Sequence, residues 1–184
     1  MTFLLDTPPD RRTDVPSNRA VSRDAGPVDD ERLANLFFER GVRVAHPHGR
    51  TILPEGEIPE ALYMIVSGIV RESMLLPDGR RHIVDFVGRG EIFGFSVDGE
   101  DQALVEAETD VVCLRVPRAT LRRLVSEDCS LAELMIRLSE RRLARSHRKM
   151  VAMGCLCSVE RVAHFLAWLA DMNTCWGIEG ERSE

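Results

Sequence analysis

Five cysteines and five histidines are the side chains of this chain best suited to metal or redox chemistry. A structural zinc site takes about four nitrogen or sulfur ligands, and an iron–sulfur cluster takes four thiolates. Cys155-Leu156-Cys157 supplies only two thiols, and the histidines form no metal-binding spacing. We therefore expect no metal site. We take Cys155 and Cys157 as redox candidates in an exposed hinge, with ordinary small residues as the alternative.

Residues 137–149 form a strongly basic stretch in a chain whose formal net charge is −6. Clustered cations on one element can face the phosphates of nucleic acid. A solvated helix face has the same composition, so both interpretations stay open. The stretch contains one acid, Glu140, and six basic side chains: Arg137, Arg141, Arg142, Arg145, Arg148 and Lys149.

No arrangement of residues that is typical of an enzyme is present. The sequence has no nucleophile elbow, no glycine-rich phosphate loop before a helix, and no Ser, His and Asp set in a familiar context. We expect a protein without catalytic residues and without a cofactor.

The basic stretch belongs to a long predicted helix that begins with a capping box, Ser130 and Glu133, and ends at Gly154. Its first half has apolar residues at spacings of three and four, a narrow seam that favours a partner helix. We predict a dimerisation helix over residues 129–153 and a homodimer. The alternative is a helix that packs on its own domain. The seam residues are Leu131, Leu134, Met135 and Leu138.

The segment before this helix has the pattern of a small β-protein. Short apolar runs alternate with turns marked by glycine or proline, which predicts an antiparallel jelly roll of about eight strands. The predicted strands are Val42–Ala45, Thr51–Leu53, Leu62–Val66, Ile69–Leu76, His82–Val87, Ile92–Phe95, Leu104–Ala107 and Val111–Val116. Further helices are predicted at Asp29–Arg40, Arg118–Ser126 and Val159–Met172.

Composition agrees with one folded core and short extensions. The chain has 184 residues, of which 44% are hydrophobic and 29% charged, which is ordinary for a soluble domain. Residues 1–28 are rich in proline and charge, which predicts a disordered lead. Because no apolar run approaches the length of a membrane span and the N-terminus has no signal-peptide layout, we expect a cytoplasmic protein with reduced cysteines.

Five segments, taken in order, resemble the Crp/Fnr family of bacterial transcription regulators, and its FixK-like branch in particular. They read GRTILPEGE at 49–57, LYMIVSGIV at 62–70, DGRRHIVDF at 78–86, GRGEIFG at 88–94 and SVERVAHFL at 158–166. The resemblance implies a mainly β fold with added helices. Its parts are a cyclic-nucleotide-binding-like double-stranded β-helix over 29–128, the dimerisation helix, and a remnant of a winged helix-turn-helix over 154–184.

The resemblance also locates a ligand site, which this sequence has in degenerate form. Gly90, Glu91 and Gly94 match the segment of the family that holds the cyclic phosphate. Phe95 stands where cAMP-binding members have a glutamate, and Asp101 and Gln102 stand where they have an Arg-Ser pair. Residues 94–110 contain no Arg or Lys, and residues 1–112 contain no Cys. We expect neither a working cAMP site nor an iron–sulfur sensor.

Family members continue beyond the helix at Val159–Met172 into a recognition helix that reads DNA in the major groove. Only twelve residues follow Met172 here, so we expect a truncated chain that binds DNA only in a full-length form. The predicted function is the sensor and dimerisation module of a regulator. The alternatives are a stand-alone protein that heterodimerises with full-length relatives and a β-roll that binds a small ligand.

Overall fold

Two four-stranded antiparallel sheets form a β-roll, as the sequence predicts. The computed structural model describes residues 31–96 and 103–176, without the side chains of 168, 169 and 171–176. One sheet has the strand order β1-β8-β3-β6 and the other β2-β7-β4-β5. The strands are β1 Val42–His46, β2 Thr51–Leu53, β3 Ala61–Ser67, β4 Val70–Leu75, β5 Arg81–Val87, β6 Ile92–Phe93, β7 Leu104–Ala107 and β8 Val111–Pro117.

Four helices flank the roll. They are α1 Glu31–Arg40, α2 Arg118–Glu127, α3 Cys129–Cys155 and α4 Ser158–Trp176. Each predicted helix is present, although the bounds differ. None of these helices is both long and apolar enough to cross a membrane, within the part of the chain that the structure describes.

The ends of α3 differ from those expected. Asp128, rather than Ser130, caps the start: its Oδ1 accepts hydrogen bonds from Ser130 N at 3.0 Å and from Ser130 Oγ at 2.6 Å. Those two bonds, and the nearby Arg32, hold the pKa of Asp128 below its ordinary value. Gly154 lies within the last turn and does not end the helix, because the backbone becomes extended only at Leu156.

The first hydrophobic core fills the space between the two sheets. Tyr63 and Phe93 stack there with ring centroids 5.0 Å apart, surrounded by Ile65, Val70 and Val87. The turn from β3 to β4 requires Gly68, which has φ of 89°, and a Cβ there would lie 2.3 Å from Asp110 O. This turn returns the chain into the second sheet.

The second core lies where the helices cover the outer side of the β1-β8-β3-β6 sheet. Strand β3 is buried along Ala61–Ile65, so its alternate side chains serve both cores. Leu33 and Phe37 of α1, Leu121 of α2, and Leu131 and Leu134 of α3 pack against the outer set. This packing fixes the direction in which α3 leaves the roll.

The predicted division into domains stays a prediction. Residues 1–28, expected to be a disordered lead, lie outside the described residues. Helix α4 occupies most of the range 154–184 that is predicted as a helix-turn-helix remnant. That assignment remains a prediction.

Candidate functional site

The second half of α3 lies against an acidic end of the roll. Arg142, Arg145 and Lys149 follow one another at spacings of three and four, which places them on a single helix face. Glu72 of β4 and Asp85 of β5 are direct partners across the strand pair. Their side chains share the interior face with the paired Val70 and Val87, because Cβ direction alternates along a strand.

Each cation of α3 reaches a different part of the roll. Arg142 Nη2 donates to both carboxylate oxygens of Glu72 at 3.1 Å, and its Nη1 donates to Ile92 O at 2.7 Å. Arg145 Nη1 donates to Glu91 Oε1 at 2.6 Å, and its Nη2 lies 2.9 Å from Asp85 Oδ2.

Lys149 completes the cluster, where it pairs with Asp85 and donates to Val84 O at 3.2 Å. The cluster therefore contains three carboxylates and three cations and is formally neutral. The Asp85 and Arg145 side chains are 11% and 12% exposed. Buried charges of this kind are stable only when they are paired.

The environment of this cluster shifts the pKa of three of its members. Burial raises the pKa of Glu91, against the opposing charge of Arg145. For Arg145, burial alone would lower the pKa, but the carboxylates of Glu91 and Asp85 outweigh it and raise the pKa. Burial lowers the pKa of Lys149, and Asp85 offsets part of that change. An anion brought to this end of the roll would meet three carboxylates whose partners are already in place.

The basic stretch was interpreted either as a phosphate-facing patch or as a solvated helix face. The contacts of Arg142, Arg145 and Lys149 give these three residues a different role. Their charged groups pair with carboxylates of the chain's own β-roll, and the Arg142 and Lys149 side chains stay 27% and 31% exposed. Sequence reasoning missed the acidic side of the cluster. The available signal was Glu72, which lies two residues after the core residue Val70 and so falls on the interior face of its strand.

The residues matched to the phosphate segment have structural partners here. Gly90 N donates to Ile65 O at 2.8 Å, and Glu91 Oε2 accepts from Gly88 N at 2.9 Å. Gly94 has φ of 95°, and a Cβ there would lie 2.8 Å from Ala61 O. Their role in ligand binding stays a prediction.

The structure describes one of the three further positions of the expected ligand site. The ring of Phe95 lies under the guanidinium of Arg142, with its centroid 5.4 Å from Cζ. Asp101 and Gln102 lie outside the described residues. The described part of this region is thus bound to α3.

Cys155 and Cys157 are exposed on either side of the turn between α3 and α4, and Cys129 is exposed at the start of α3. Cys113 is buried, and burial raises its pKa to about 12, which leaves its thiol unreactive. Within residues 31–96 and 103–176, no three or more His, Cys, Asp or Glu side chains are arranged to hold a metal ion. The redox role of the exposed pair stays a prediction.

The residues predicted as the dimer seam face the roll of their own chain. Leu131 and Leu134 are each 6% exposed, and Met135 and Leu138 pack against the same core. They leave less surface for a second copy than the sequence pattern suggests, and their place in a dimer seam stays a prediction. This face of α3 matches the alternative of a helix that packs on its own domain.

Helix α4 presents an apolar surface, as its stripe of hydrophobic residues predicts. Val159, Val162 and Leu166 are 77%, 59% and 56% exposed and line an open groove of about 420 Å³. Phe165 is turned toward the roll, with its ring centroid 6.2 Å from that of Phe86. The side chains of Trp168 and Leu169, on the same helix, lie outside the described part of the structure.

Comparison with known proteins agrees with this architecture. The family model of the cyclic nucleotide-binding domain matches residues 43–128. The chain is 32% identical over 130 residues to the nitrogen fixation regulation protein FixK of Bradyrhizobium diazoefficiens, covering 71% of this chain and 55% of that protein. It is 30% identical over 130 residues to the CRP-like cAMP-activated global transcriptional regulator of Mycobacterium tuberculosis, covering 69% and 58%.

The solved structure of FixK2 from Bradyrhizobium japonicum superposes with a TM-score of 0.66 at 25% identity, over 74% of this chain and 77% of that one. The chain spans less than two thirds of the length of the two curated relatives above. The eight-stranded roll, the matched domain and the FixK relatives together confirm the resemblance. The chain belongs to the Crp/Fnr family and is of the FixK-like type.

Proposed function

We propose that this chain is the sensor and dimerisation module of a Crp/Fnr-type transcription regulator, and that it acts in the cytoplasm as a homodimer. It is a regulator rather than an enzyme. Sequence-specific DNA binding belongs, in this proposal, to a full-length form. The observation that supports the proposal best is the division of α3 into a docked face and an exposed apolar row.

The exposed row of α3 has the spacing of a coiled-coil seam. Ile136, Leu143 and Met150 recur every seven residues and are 59%, 56% and 52% exposed. A seven-residue repeat keeps one line of a helix facing a partner helix. Cys129 lies one repeat earlier on the same line. The row points away from the roll, because Leu134, Leu138 and the cationic residues occupy the opposite side.

A second copy of this chain is the occupant that the row fits best. In a two-fold dimer, the row of one copy contacts the same row of the other copy, so a single apolar row on each helix can form the interface. Small residues lie at the second coiled-coil position of each repeat, where they allow the helices to approach closely. They are Ala132, Ser139 and Ser146, with Met153 at the end.

The acidic end of the roll supports a regulator that does not respond to a cyclic nucleotide. The cyclic phosphate of such a ligand carries a negative charge, and Glu72, Asp85 and Glu91 lie at the interior end of the roll, where it would meet them. The cations that could receive the phosphate are already engaged with those carboxylates. We therefore include the absence of cAMP binding in the proposal.

The mass of the protein in solution tests the dimer. Sedimentation should give a dimer for the natural chain and a monomer for the variant Ile136→Arg, Leu143→Arg, with the same circular dichroism. The variant Phe38→Arg, Val42→Arg is the matched control, because it places the same two charges on exposed apolar positions outside α3 (63% and 62% exposed). A natural chain that is monomeric, or an Ile136→Arg, Leu143→Arg variant that stays dimeric, would refute the proposed seam.

The DNA part of the proposal is tested separately by gel shift. This chain should show no preference for an operator over scrambled DNA at about 150 mM salt, where exposed charges more than about 8 Å apart are screened. The test is made on the chain alone and after mixing with a full-length relative. Protection of an operator by the chain alone contradicts the proposal, and loss of the relative's binding on mixing favours the heterodimer alternative.

A further inference from the structure

We infer that cationic side chains of α3 itself hold this helix in its docked position against the roll, in the place that a bound cation would otherwise take. Arg142, Arg145 and Lys149 occupy the acidic end of the roll, and an external effector is not required to hold the helix there. We call the six side chains of this cluster the clamp, namely Glu72, Asp85, Glu91, Arg142, Arg145 and Lys149. The inference concerns the docking of α3 and stands independently of the proposed dimer and of DNA binding.

The two halves of α3 dock by different chemistry. Up to Leu138, the docked face is apolar and belongs to the second core. Beyond Leu138, the positions that continue this face are Arg142, Arg145, Lys149 and Ala152. Three of these four carry charge, so the second half of the helix is held to the roll chiefly by ion pairs and not by hydrophobic contact.

The clamp joins the helix to three separate elements. Glu72 belongs to β4, Asp85 belongs to β5, and Glu91 lies in the turn before β6. Two main-chain carbonyls, Ile92 O and Val84 O, accept from Arg142 and Lys149. Removal of Arg142 or Arg145 leaves the carboxylate of Glu72 or Glu91 buried without its cation, which is strongly unfavourable. The clamp therefore behaves as one unit.

The geometry around the Arg145 guanidinium determines which small cation could take its place. The guanidinium of Arg145 lies between Glu91 and Asp85, with a separate Nη for each. Such a fork matches carboxylates in a way that an ammonium does not. If the Arg145 side chain is removed, the vacated site should accept a free alkylguanidinium cation in preference to an alkylammonium cation.

Hydrogen exchange in Arg145→Ala tests the clamp. Amide protection across residues 140–155 should fall by roughly tenfold or more, because one buried partner has been lost. Ethylguanidinium at millimolar concentration should restore it, and ethylammonium should not. Arg148→Ala is the control: Arg148 is an exposed arginine on the same helix and outside the clamp, so that variant should exchange like the natural chain and ignore the additive.

A swap of opposite charges between two paired residues provides a second test, which can be used if Arg145→Ala does not fold. Glu72→Arg and Arg142→Glu should each reduce the protection of 140–155, and the double variant should recover part of it, because this ion pair is re-formed in reverse. A double variant no better than the worse single variant would overturn the inference. So would natural protection in Arg145→Ala, or equal rescue by the two additives.

The failure of this inference is distinguishable from the failure of the proposed dimer. Leu143→Arg should lower the mass in solution but leave the rescue of Arg145→Ala by ethylguanidinium intact. If the chain is monomeric and the rescue is still observed, the clamp is supported and the seam is refuted. If the chain is dimeric and Arg145→Ala exchanges normally, the clamp is refuted and the seam stands.

Discussion

At the scale of single residues, Glu91 lies between a main-chain donor and a buried guanidinium. One of its carboxylate oxygens accepts from Gly88 N, and the other accepts from Arg145. Burial still raises the pKa of Glu91 above its ordinary value of 4.5. The folded protein therefore holds a proton on Glu91 at pH values where the unfolded chain has released it.

This raised pKa predicts a difference in pH dependence between the natural chain and Glu91→Gln. Between 4.5 and the raised pKa, the folded state binds more protons than the unfolded state, so the contribution of Glu91 to the free energy of unfolding falls as the pH rises. Glutamine does not titrate. Relative to the variant, the natural chain should lose stability across that range and then level off.

Urea unfolding at a series of pH values measures this difference. Glu133→Gln is a suitable control, because Glu133 is an exposed carboxylate on α3 outside the clamp. A natural chain that gains stability over Glu91→Gln as the pH rises through this range would show that the pairing with Arg145 outweighs burial.

At the scale of elements, α3 shows what the sequence could and could not specify. The eight strands were predictable, because the runs are short and apolar and glycine or proline marks every connection between them except residues 108–110. The faces of α3 were not, because apolar residues lie on both sides of the helix. The closely spaced Leu131 and Leu134 belong to the core, whereas the sparse row at Ile136, Leu143 and Met150 is exposed.

The acidic half of the clamp could not be inferred from local patterns. Glu72 and Asp85 lie in strands where alternating polar residues normally face solvent, and their partners Arg142 and Lys149 follow 70 and 64 residues later in the chain. Only the pairing of β4 with β5, which places both carboxylates on the interior face, brings them to α3. The candidate site therefore depends on tertiary structure, whereas the strands around it depend on local sequence.

Truncation of one leucine on each face of α3 should separate the two roles. Leu134→Ala removes a core side chain that is 6% exposed and should lower the free energy of unfolding by about 2–4 kcal/mol. Leu143→Ala removes a side chain that is 56% exposed, so it should change stability mainly by weakening the dimer.

Thermal unfolding at several protein concentrations distinguishes the two effects. The midpoint of the natural chain should rise with concentration, since association stabilises the folded state by mass action. Leu134→Ala should lower the midpoint but keep its dependence on protein concentration. Leu143→Ala should weaken that dependence. An unchanged slope in Leu143→Ala would show that this face takes no part in association.

At the scale of the whole molecule, helix α4 presents an exposed apolar surface in addition to the apolar row of α3. Val159, Val162 and Leu166 project from the helix on the side of the open groove, and Phe165 contacts the roll. Exposed apolar patches promote association in solution. Val162→Ser with Leu166→Ser should therefore raise the solubility limit of the chain and leave the circular dichroism of the β-roll unchanged.

Static light scattering at increasing concentration measures that gain. Val42→Ser provides the control, because Val42 is 62% exposed on β1, away from the groove. Equal solubility of the α4 variant and the natural chain would mean that the groove is already covered in solution.

The zero net charge of the clamp has a consequence for how related sequences can diverge. A substitution that removes Arg142, Arg145 or Lys149 leaves an excess carboxylate inside the roll, and one that removes a carboxylate leaves an excess cation. Single losses are therefore selected against, while paired losses are tolerated. Among descendants of a common ancestor, we expect these six positions to be inherited together or to be replaced in acid–base couples.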